Sequence, residues 1–431
     1  MLELFASGVF SLWLEAAGIK SPTLQPSNVS TASALLLGQD PVTATVVKRY
    51  LQQLSAQGFS ESQQGVWIQS GNQLLATQQG SIPLPAASLT KVATSLVALQ
   101  TWGPQHQFIT QIGTTGAVQK GVLKGDLVVQ GVGDPLFIWE EAINLGNTLN
   151  RIGIRQVTGD LVIVGGFTMN YESDPMVAGN LLREGLNATT WGEEAQSQYS
   201  TMPRGTLRPQ VVIQGNVQLQ PRPPVQQRLL VRHRSLPLSQ LLKQMNIYSN
   251  NAMAETLAAS LGGAKVVAQR AAIAADVPQS EIQLINGSGL GTANRMSPRA
   301  ACGMFQSIER QLQPFKLTAA DFFPVAGRDR GTLEARQLPP ATVVKTGTLA
   351  DVSTLAGVIP TRKYGPICFS IMNRGDAVDD FRVRQDLLLQ NLRTHWGTTA
   401  LAKEKLQPNL SAVPMGAGDR DEILLPAKPP S

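Results

Sequence analysis

The chain has few of the residues from which metal centres and histidine-dependent hydrolase sites are built. It contains 3 histidines and 2 cysteines in 431 residues, and no Cys-x-x-Cys pair. His106, His233 and His395 belong to no motif, and His233, between Arg232 and Arg234, is expected at the surface. Zinc sites and Ser-His-Asp hydrolases need such residues in recognisable arrangements. We therefore expect no metal site, no cofactor and no histidine-based triad.

Charge is also sparse and is not gathered in blocks. Charged residues make up 15% of the chain and aromatic residues 5%, with a net charge of +6. No basic block or aromatic ladder indicates nucleic-acid binding, although a mildly basic surface favours contact with polyanions such as envelope polymers. A hydrophobic fraction of 42% over this length predicts a globular protein with two or three cores.

Long hydrophobic runs are missing as well. Residues 1–18 are apolar but are interrupted by Glu3 and Glu15, and no Lys or Arg precedes them. The segment is therefore unlike both a signal peptide and a membrane-spanning helix. We expect an amphipathic helix that docks on the catalytic domain or makes a peripheral contact with a membrane. A start site that was assigned wrongly is the alternative.

The two cysteines, Cys302 and Cys368, each have apolar neighbours in the sequence. Cysteines in such surroundings are most often buried and unreactive. Buried free thiols are therefore the favoured interpretation, and a disulfide between them is the alternative.

Three short polar motifs are present in a fixed order: Ser88-x-x-Lys91, Ser249-x-Asn251 and Lys345-Thr346-Gly347. A serine hydroxyl attacks a carbonyl only when a neighbouring base takes its proton. Apolar residues at helical spacing follow Ser88, which predicts a helix that begins there and carries Lys91 on the same face. Burial and a nearby cation, such as Lys345, would lower the pKa of Lys91 enough for it to act as that base.

Each motif alone is common by chance, but their context strengthens them. Val343 and Val344 predict a strand leading into Lys345, and an apolar segment predicts a helix after Asn251. Together the motifs predict a serine acyl-transfer site in which a lysine is the base.

This triplet is typical of class A β-lactamases and penicillin-binding proteins. From about residue 45 to about residue 397 the chain most resembles the class C low-molecular-mass penicillin-binding proteins, the D-alanyl-D-alanine carboxypeptidase/endopeptidase group. The segments that carry this resemblance are residues 123–127, 133–135, 153–161, 286–290, 294–299 and 324–333. It implies an α/β (α+β) fold in which helices pack on an antiparallel sheet, with an inserted domain. Members usually carry an aspartate where Asn286 stands, and the nearest counterpart of their acidic, Trp-rich segment is Trp191–Glu194.

The interval between Ser88 and Ser249 is long enough to hold that inserted domain. Strand-like runs at residues 126–130, 159–164 and 210–214 lie within it, and a proline-rich linker at 221–224 closes it. We therefore expect a mainly β inserted domain at 110–224 and a catalytic domain formed by 1–109 and 225–404. The proline-rich tail, 405–431, is expected to be disordered.

The resemblance also implies a role for each motif residue. Ser88 would attack the penultimate D-alanine of peptidoglycan stem peptides that end in D-Ala-D-Ala, and β-lactams would inhibit by acylating the same serine. The other implied catalytic residues are Lys91 as base, Ser249 as proton relay, Asn251 as the group that orients Lys91 and a substrate amide, and Lys345. Substrate binding is assigned to Thr346, Gly347 and Thr348, and Thr346 and Thr348 would hold the terminal carboxylate together with Lys345. The backbone N–H groups of Ser88 and Thr348 would form the oxyanion hole. Because peptidoglycan lies outside the cytoplasm, a periplasmic location follows. The alternatives are a β-lactamase-like or esterase hydrolase with the same site, or an inactive cell-wall-binding homologue.

Overall fold

The computed structural model describes residues 36–37, 40–397, 408 and 418–424. The helix expected at residues 1–18 lies outside these ranges. Within them, no helix is long and apolar enough to cross a membrane.

The described chain alternates between helices and strands in two main sheets and two small ones. The α-helices are α1 (Pro41–Ser55), α2 (Thr90–Trp102), α3 (Trp139–Arg151), α4 (Pro175–Gly185), α5 (Glu193–Thr201), α6 (Leu238–Tyr248), α7 (Asn251–Ser260), α8 (Ala264–Ala275), α9 (Pro298–Leu312) and α10 (Val378–Trp396). The strands are β1 (Leu36–Leu37), β2 (Gln64–Ser70), β3 (Gln73–Gln78), β4 (Leu84–Pro85), β5 (Ile109–Thr114), β6 (Ala117–Gln119), β7 (Val122–Lys124), β8 (Leu127–Val132), β9 (Gln156–Val157), β10 (Leu161–Gly166), β11 (Val212–Ile213), β12 (Val217–Gln220), β13 (Arg228–Arg234), β14 (Ile282–Gln283), β15 (Arg295–Met296), β16 (Val343–Leu349), β17 (Val352–Thr361), β18 (Gly365–Arg374) and β19 (Asp421–Ile423).

The first sheet has the strand order β1-β3-β2-β18-β17-β16, and its strands are antiparallel except for the β1–β3 pair. Side chains of a strand alternate between its two faces. In β18, Ile367, Phe369 and Ile371 therefore pack in one core with α1 and α10. Cys368, on the opposite face, contacts α9. Helices cover both faces of an antiparallel sheet, which confirms the expected fold class.

The second sheet has the order β12-β10-β8-β5-β13-β19, parallel over its first three strands and antiparallel over the rest. It has its own core, in which α3 and α4 pack on the sheet. Residues 110–224 thus contain α3, α4 and α5 as well as strands, a helix content that the strand-like runs did not predict. The sheet continues into β13, beyond residue 224, and the domain boundaries remain a prediction.

Two expectations about this second sheet are wrong. Residues 418–424, which fall in the tail expected to be disordered, form a short 3₁₀ helix and β19, which pairs antiparallel with β13. His233 lies on β13 and is only 2% exposed, because β19 covers that edge. Its flanking arginines suggested a surface position, but in a strand only alternate residues share a face.

The favoured interpretation of the cysteines is also wrong. Cys302 on α9 and Cys368 on β18 form a disulfide. Both were expected to be buried, and both are. Their pairing depends on the packing of α9 against the first sheet, which residues 66 apart in the sequence do not reveal.

Candidate active site

Ser88 lies in a 3₁₀ turn, Ala87–Leu89, that leads directly into α2. Ala87 has a left-handed backbone with φ of 47°, an uncommon conformation for a residue other than glycine. Lys91 follows on the first turn of α2, and its Nζ lies 3.1 Å from Ser88 Oγ. The predicted i, i+3 arrangement thus puts the two side chains in contact at a helix N-terminus, which favours developing negative charge.

Three acceptor atoms surround the buried amine of Lys91. Besides Ser88 Oγ, Nζ lies 2.7 Å from Asn251 Oδ1 and 2.8 Å from the Ser288 carbonyl oxygen. A neutral amine has two N–H donors and one lone pair. It can donate to Asn251 and Ser288 while accepting the Ser88 hydroxyl proton, so these contacts suit a base.

The electrostatics of Lys91 agree with that geometry. Burial lowers the pKa of Lys91 to about 7, against the opposing effect of the Glu255 carboxylate. Burial has this effect because a charged ammonium loses its hydration in the interior. Near neutral pH a substantial fraction of Lys91 is therefore uncharged.

Lys345 and Ser249 form a second contact pair. Lys345 Nζ donates to Ser249 Oγ at 3.0 Å and to the Thr346 carbonyl oxygen at 2.7 Å. Ser249 ends α6 in a left-handed conformation, and Asn251 begins α7, for which Asn250 is the N-cap. Burial, and then the charge on Lys91, lower the pKa of Lys345 well below its usual value. Burial is thus the main cause for both lysines. Repulsion by Lys91 adds to burial at Lys345, whereas at Lys91 the second effect is that of Glu255, which raises the pKa, and the expected lowering by Lys345 does not contribute.

Gly347 allows β16 to lie directly against the turn that carries Ser88. A Cβ atom at this position would lie 2.9 Å from the Ser88 backbone nitrogen and 3.0 Å from the Ala86 oxygen, and would collide with the Thr354 hydroxyl. No side chain fits there. The neighbouring residues of the strand, Thr346 and Thr348, line the cavity in front of Ser88.

This cavity has a volume of about 490 Å³, a size that suits a small ligand or a peptide end. It is lined by Ser88, Ser249, Asn251, Thr346 and Thr348, and also by Gly331, Thr332, Glu334, Ala335, Arg336 and Arg382. A slightly larger cavity of about 510 Å³, beside Gln337 and Leu338, contains no motif residue. Chemistry, and not size, identifies the site.

The loop that supplies the Ser288 carbonyl is held by two side chains. Glu255 accepts hydrogen bonds from the backbone nitrogens of Gly287 and Ser288, both at 2.9 Å. Asn286 accepts from Gly289 N at 2.8 Å and donates to the Leu290 oxygen at 2.7 Å. An aspartate could accept but could not donate the second bond.

Some residues at the site belong to no motif, and one residue that the sequence suggested lies away from the site. Glu255 and Arg382 belong to no motif, although Glu255 is one helical turn after Asn251 on α7. Trp191 does not line the cavity as far as the structure describes it, since it packs in the core of the second sheet, beside Tyr199. Among the described residues, no group of three or more His, Cys, Asp or Glu could hold a metal ion.

Comparison with known proteins gives a consistent result. The family model of D-Ala-D-Ala carboxypeptidase 3 (S13) matches residues 46–174 and 176–391. A D-alanyl-D-alanine carboxypeptidase, DacB, of Haemophilus influenzae is 24% identical over 405 residues, covering 72% of this chain and 84% of the relative.

Solved structures share the fold. Penicillin-binding protein 4 of Haemophilus influenzae has a TM-score of 0.62 at 20% identity, covering 81% of this chain and 99% of that one. The peptidoglycan endopeptidase Bd3459 of Bdellovibrio bacteriovorus has a TM-score of 0.63 at 21% identity, covering 81% and 94%. Bd3459 has also been solved in a form acylated by penicillin G.

Proposed function

Because the chain belongs to the D-Ala-D-Ala carboxypeptidase 3 (S13) family, we propose that Ser88 is the nucleophile with which it cleaves peptidoglycan stem peptides. The resemblance inferred from the motifs is confirmed, and the chain is a serine-type D-Ala-D-Ala carboxypeptidase. The observation that carries the assignment of Ser88 is its contact with a buried lysine at the wall of the cavity, at 3.1 Å.

Acylation begins with neutral Lys91. Ser88 Oγ attacks the carbonyl carbon of the penultimate D-alanine while Lys91 Nζ takes the hydroxyl proton. The backbone N–H groups of Ser88 and Thr348 donate to the resulting oxyanion, and each such donor typically contributes about 3 kcal/mol. Asn251 holds the amine in place by accepting one of its protons at 2.7 Å.

Collapse of the tetrahedral intermediate breaks the peptide C–N bond. The proton on Lys91 passes through the Ser249 hydroxyl to the leaving nitrogen, and D-alanine departs as an amine. Water then attacks the ester, Lys91 takes a proton from it, and the Ser88 oxygen leaves and recovers its proton. When the leaving amine belongs to a neighbouring stem peptide, the same steps open a cross-link.

β-Lactams enter the same sequence of steps. Attack by Ser88 opens the lactam ring, and the leaving nitrogen stays tethered to the acyl group. The carboxylate of the drug, like that of the peptide, would be bound by Thr346, Thr348 and Lys345. Penicillin is therefore expected to form a covalent ester with Ser88.

An extracytoplasmic location follows from this substrate. The disulfide between Cys302 and Cys368 supports it, because disulfides persist in oxidising compartments such as the periplasm.

Labelling with a fluorescent penicillin tests the proposal. The wild type should acquire one stable label, Ser88→Ala should acquire none, and Ser62→Ala, on the exposed surface, should label normally. Mass spectrometry should locate the label on Ser88. A label on another residue would refute the assignment, rapid release would indicate a β-lactamase, and absence of labelling would indicate an inactive homologue.

A further inference from the structure

Arg382 contributes a cation to the cavity from a part of the chain that holds no motif. It lies on α10, and its Nη2 donates to Thr348 Oγ1 at 2.9 Å. It lines the same cavity as Ser88 and Thr346. The guanidinium is thus fixed at the end of the cavity where the substrate-binding strand presents its threonine hydroxyls.

Two arginines, Arg382 and Arg336, line the cavity in the described chain. The carboxylate that pairs with Arg382 holds it less firmly than the carboxylate that pairs with Arg336. Its ion pair is with Asp379, whose side chain is 93% exposed, at 2.9 Å. Such exposed pairs contribute little and yield readily to a better acceptor. Arg336, in contrast, is held on both sides of its fork by buried Asp386. Its charge is already compensated.

Lys345, which lies on β16 itself, also provides a cation, but its environment disfavours the charged form. It is fully buried, and burial and the charge on Lys91 lower its pKa. An arginine keeps its charge at every pH of interest and offers five N–H donors in a planar fork that matches a carboxylate. Arg382 can therefore supply permanent positive charge where Lys345 cannot.

The hydrogen bond from Arg382 to Thr348 fixes the position of the guanidinium and also orients the Thr348 hydroxyl. Because Thr348 Oγ1 accepts from Arg382, its own proton is free to point into the cavity. A carboxylate there would receive one bond from the hydroxyl and further bonds from the guanidinium.

We propose that Arg382 is a specificity residue that binds the free C-terminal carboxylate of the peptide substrate, and that of β-lactams, together with Thr348. This inference rests on the proposed function, and it identifies which feature of the substrate the cavity selects. A peptide whose C-terminus is an amide lacks the charge that the guanidinium recognises, and it should be discriminated against.

The experiment compares two substrates, acyl-D-Ala-D-Ala with a free carboxylate and its C-terminal amide, across matched variants. In Arg382→Gln we expect kcat/KM for the acid to fall by about tenfold to hundredfold, chiefly through KM, since charged hydrogen bonds are lost. The amide should change less than about threefold. Arg382→Lys should recover part of the loss, and Asp379→Asn, which frees the guanidinium, should lower KM for the acid.

The control is Arg384→Gln, on the same helix two residues on. Arg384 pairs with Asp380 and is not among the residues that line the cavity in the described chain. It should leave both substrates unchanged. Equal losses for acid and amide in Arg382→Gln, or no loss for either, would overturn the proposal.

Binding of the two peptides to Ser88→Ala, measured by calorimetry with and without Arg382→Gln, separates this proposal from the catalytic one. If the wild type hydrolyses neither peptide, the proposed function fails. A preference for the acid that disappears with Arg382→Gln would still support the carboxylate site, and an absence of preference would refute it.

Discussion

At Lys91, the proposed chemistry depends on a buried amine that loses its proton near neutral pH. Burial lowers its pKa to about 7. Since only the neutral amine can accept the Ser88 proton, the rate of acylation should fall as the pH drops through 7. Stopped-flow labelling with penicillin between pH 5 and 9 measures this, with Lys91→Met as the inactive control. A rate that is flat across this range would contradict the role of Lys91 as base.

Glu255 should tune that midpoint. Its carboxylate raises the pKa of Lys91, so Glu255→Gln should move the midpoint of the acylation profile to lower pH. The glutamine can still accept one of the two loop hydrogen bonds. An unchanged or higher midpoint would show that Glu255 acts only as a support for the loop.

Sequence motifs could predict Ser88, Lys91 and Lys345 as candidate site residues for two reasons. Short, local spacing decides whether Ser88 and Lys91 touch, and the three motifs recur together in a known family. Glu255 and Arg382 could not be found in that way. Each acts at a site assembled from distant segments: Arg382 reaches Thr348 on β16 from α10. Their roles depend on packing, which no local pattern encodes.

Among the elements, β16 positions the site by lying against the Ser88 turn. Gly347→Ala should lower the rate of penicillin acylation by about 100-fold, since a shift of ~1 Å at a reacting centre has that effect. The free energy of unfolding should also fall by about 1–3 kcal/mol, because the added methyl group collides with Thr354 on the paired strand β17. Labelling kinetics and thermal unfolding of the same preparation distinguish slower acylation from loss of the folded state. A normal labelling rate would show that the strand can move without cost.

β19 joins the second sheet through a buried cluster of charges. His233 Nδ1 lies 2.7 Å from Asp421 Oδ1, and Arg420 pairs with Glu141. Burial opposes the charge on His233, but the hydrogen bond to Asp421 and the nearby carboxylates outweigh burial and raise its pKa. The charged imidazole thus favours the folded state.

The pH dependence of stability follows from that raised pKa. The contribution of His233 is complete below its unfolded pKa, about 6.5, and is lost as the pH rises through the folded value. Asp134 acts in the same direction at lower pH, because burial raises its pKa to about 6. Because Lys91 and Lys345 have lowered pKa values and change stability in the opposite direction, the cluster is isolated by comparing variants. The free energy of unfolding lost in His233→Gln, measured in urea titrations, should be largest below pH 6.5 and should shrink as the pH rises. A loss in His233→Gln that is constant or grows with pH would be inconsistent with the cluster.

At the scale of the described chain, the two larger hydrophobic clusters pack on the two main sheets. The domain division predicted at residues 110 and 224 is a hypothesis that these two clusters belong to separate units. Core residues of the second sheet run from Ile112 to Val231, and those of the first sheet lie before and after them in the chain. The pairing of residues 418–424 with the second sheet could not be predicted from the sequence. Strand β19 is short and polar, and its pairing with β13 buries a cluster of charges rather than an apolar face.

The disulfide offers a way to test whether the two cores unfold separately. Cys302 and Cys368 both belong to the first sheet and its helices, and they are 66 residues apart. Restricting a loop of that length in the unfolded chain contributes up to about 4 kcal/mol. In the double variant Cys302→Ala, Cys368→Ala, hydrogen exchange should accelerate in β17 and β18, because the crosslink restrains that layer, and should remain unchanged in β8 and β10 if the second sheet is a separate unit. Equal acceleration in both sheets would mean that the described chain unfolds as one cooperative body, and the predicted division at residues 110 and 224 would have to be abandoned.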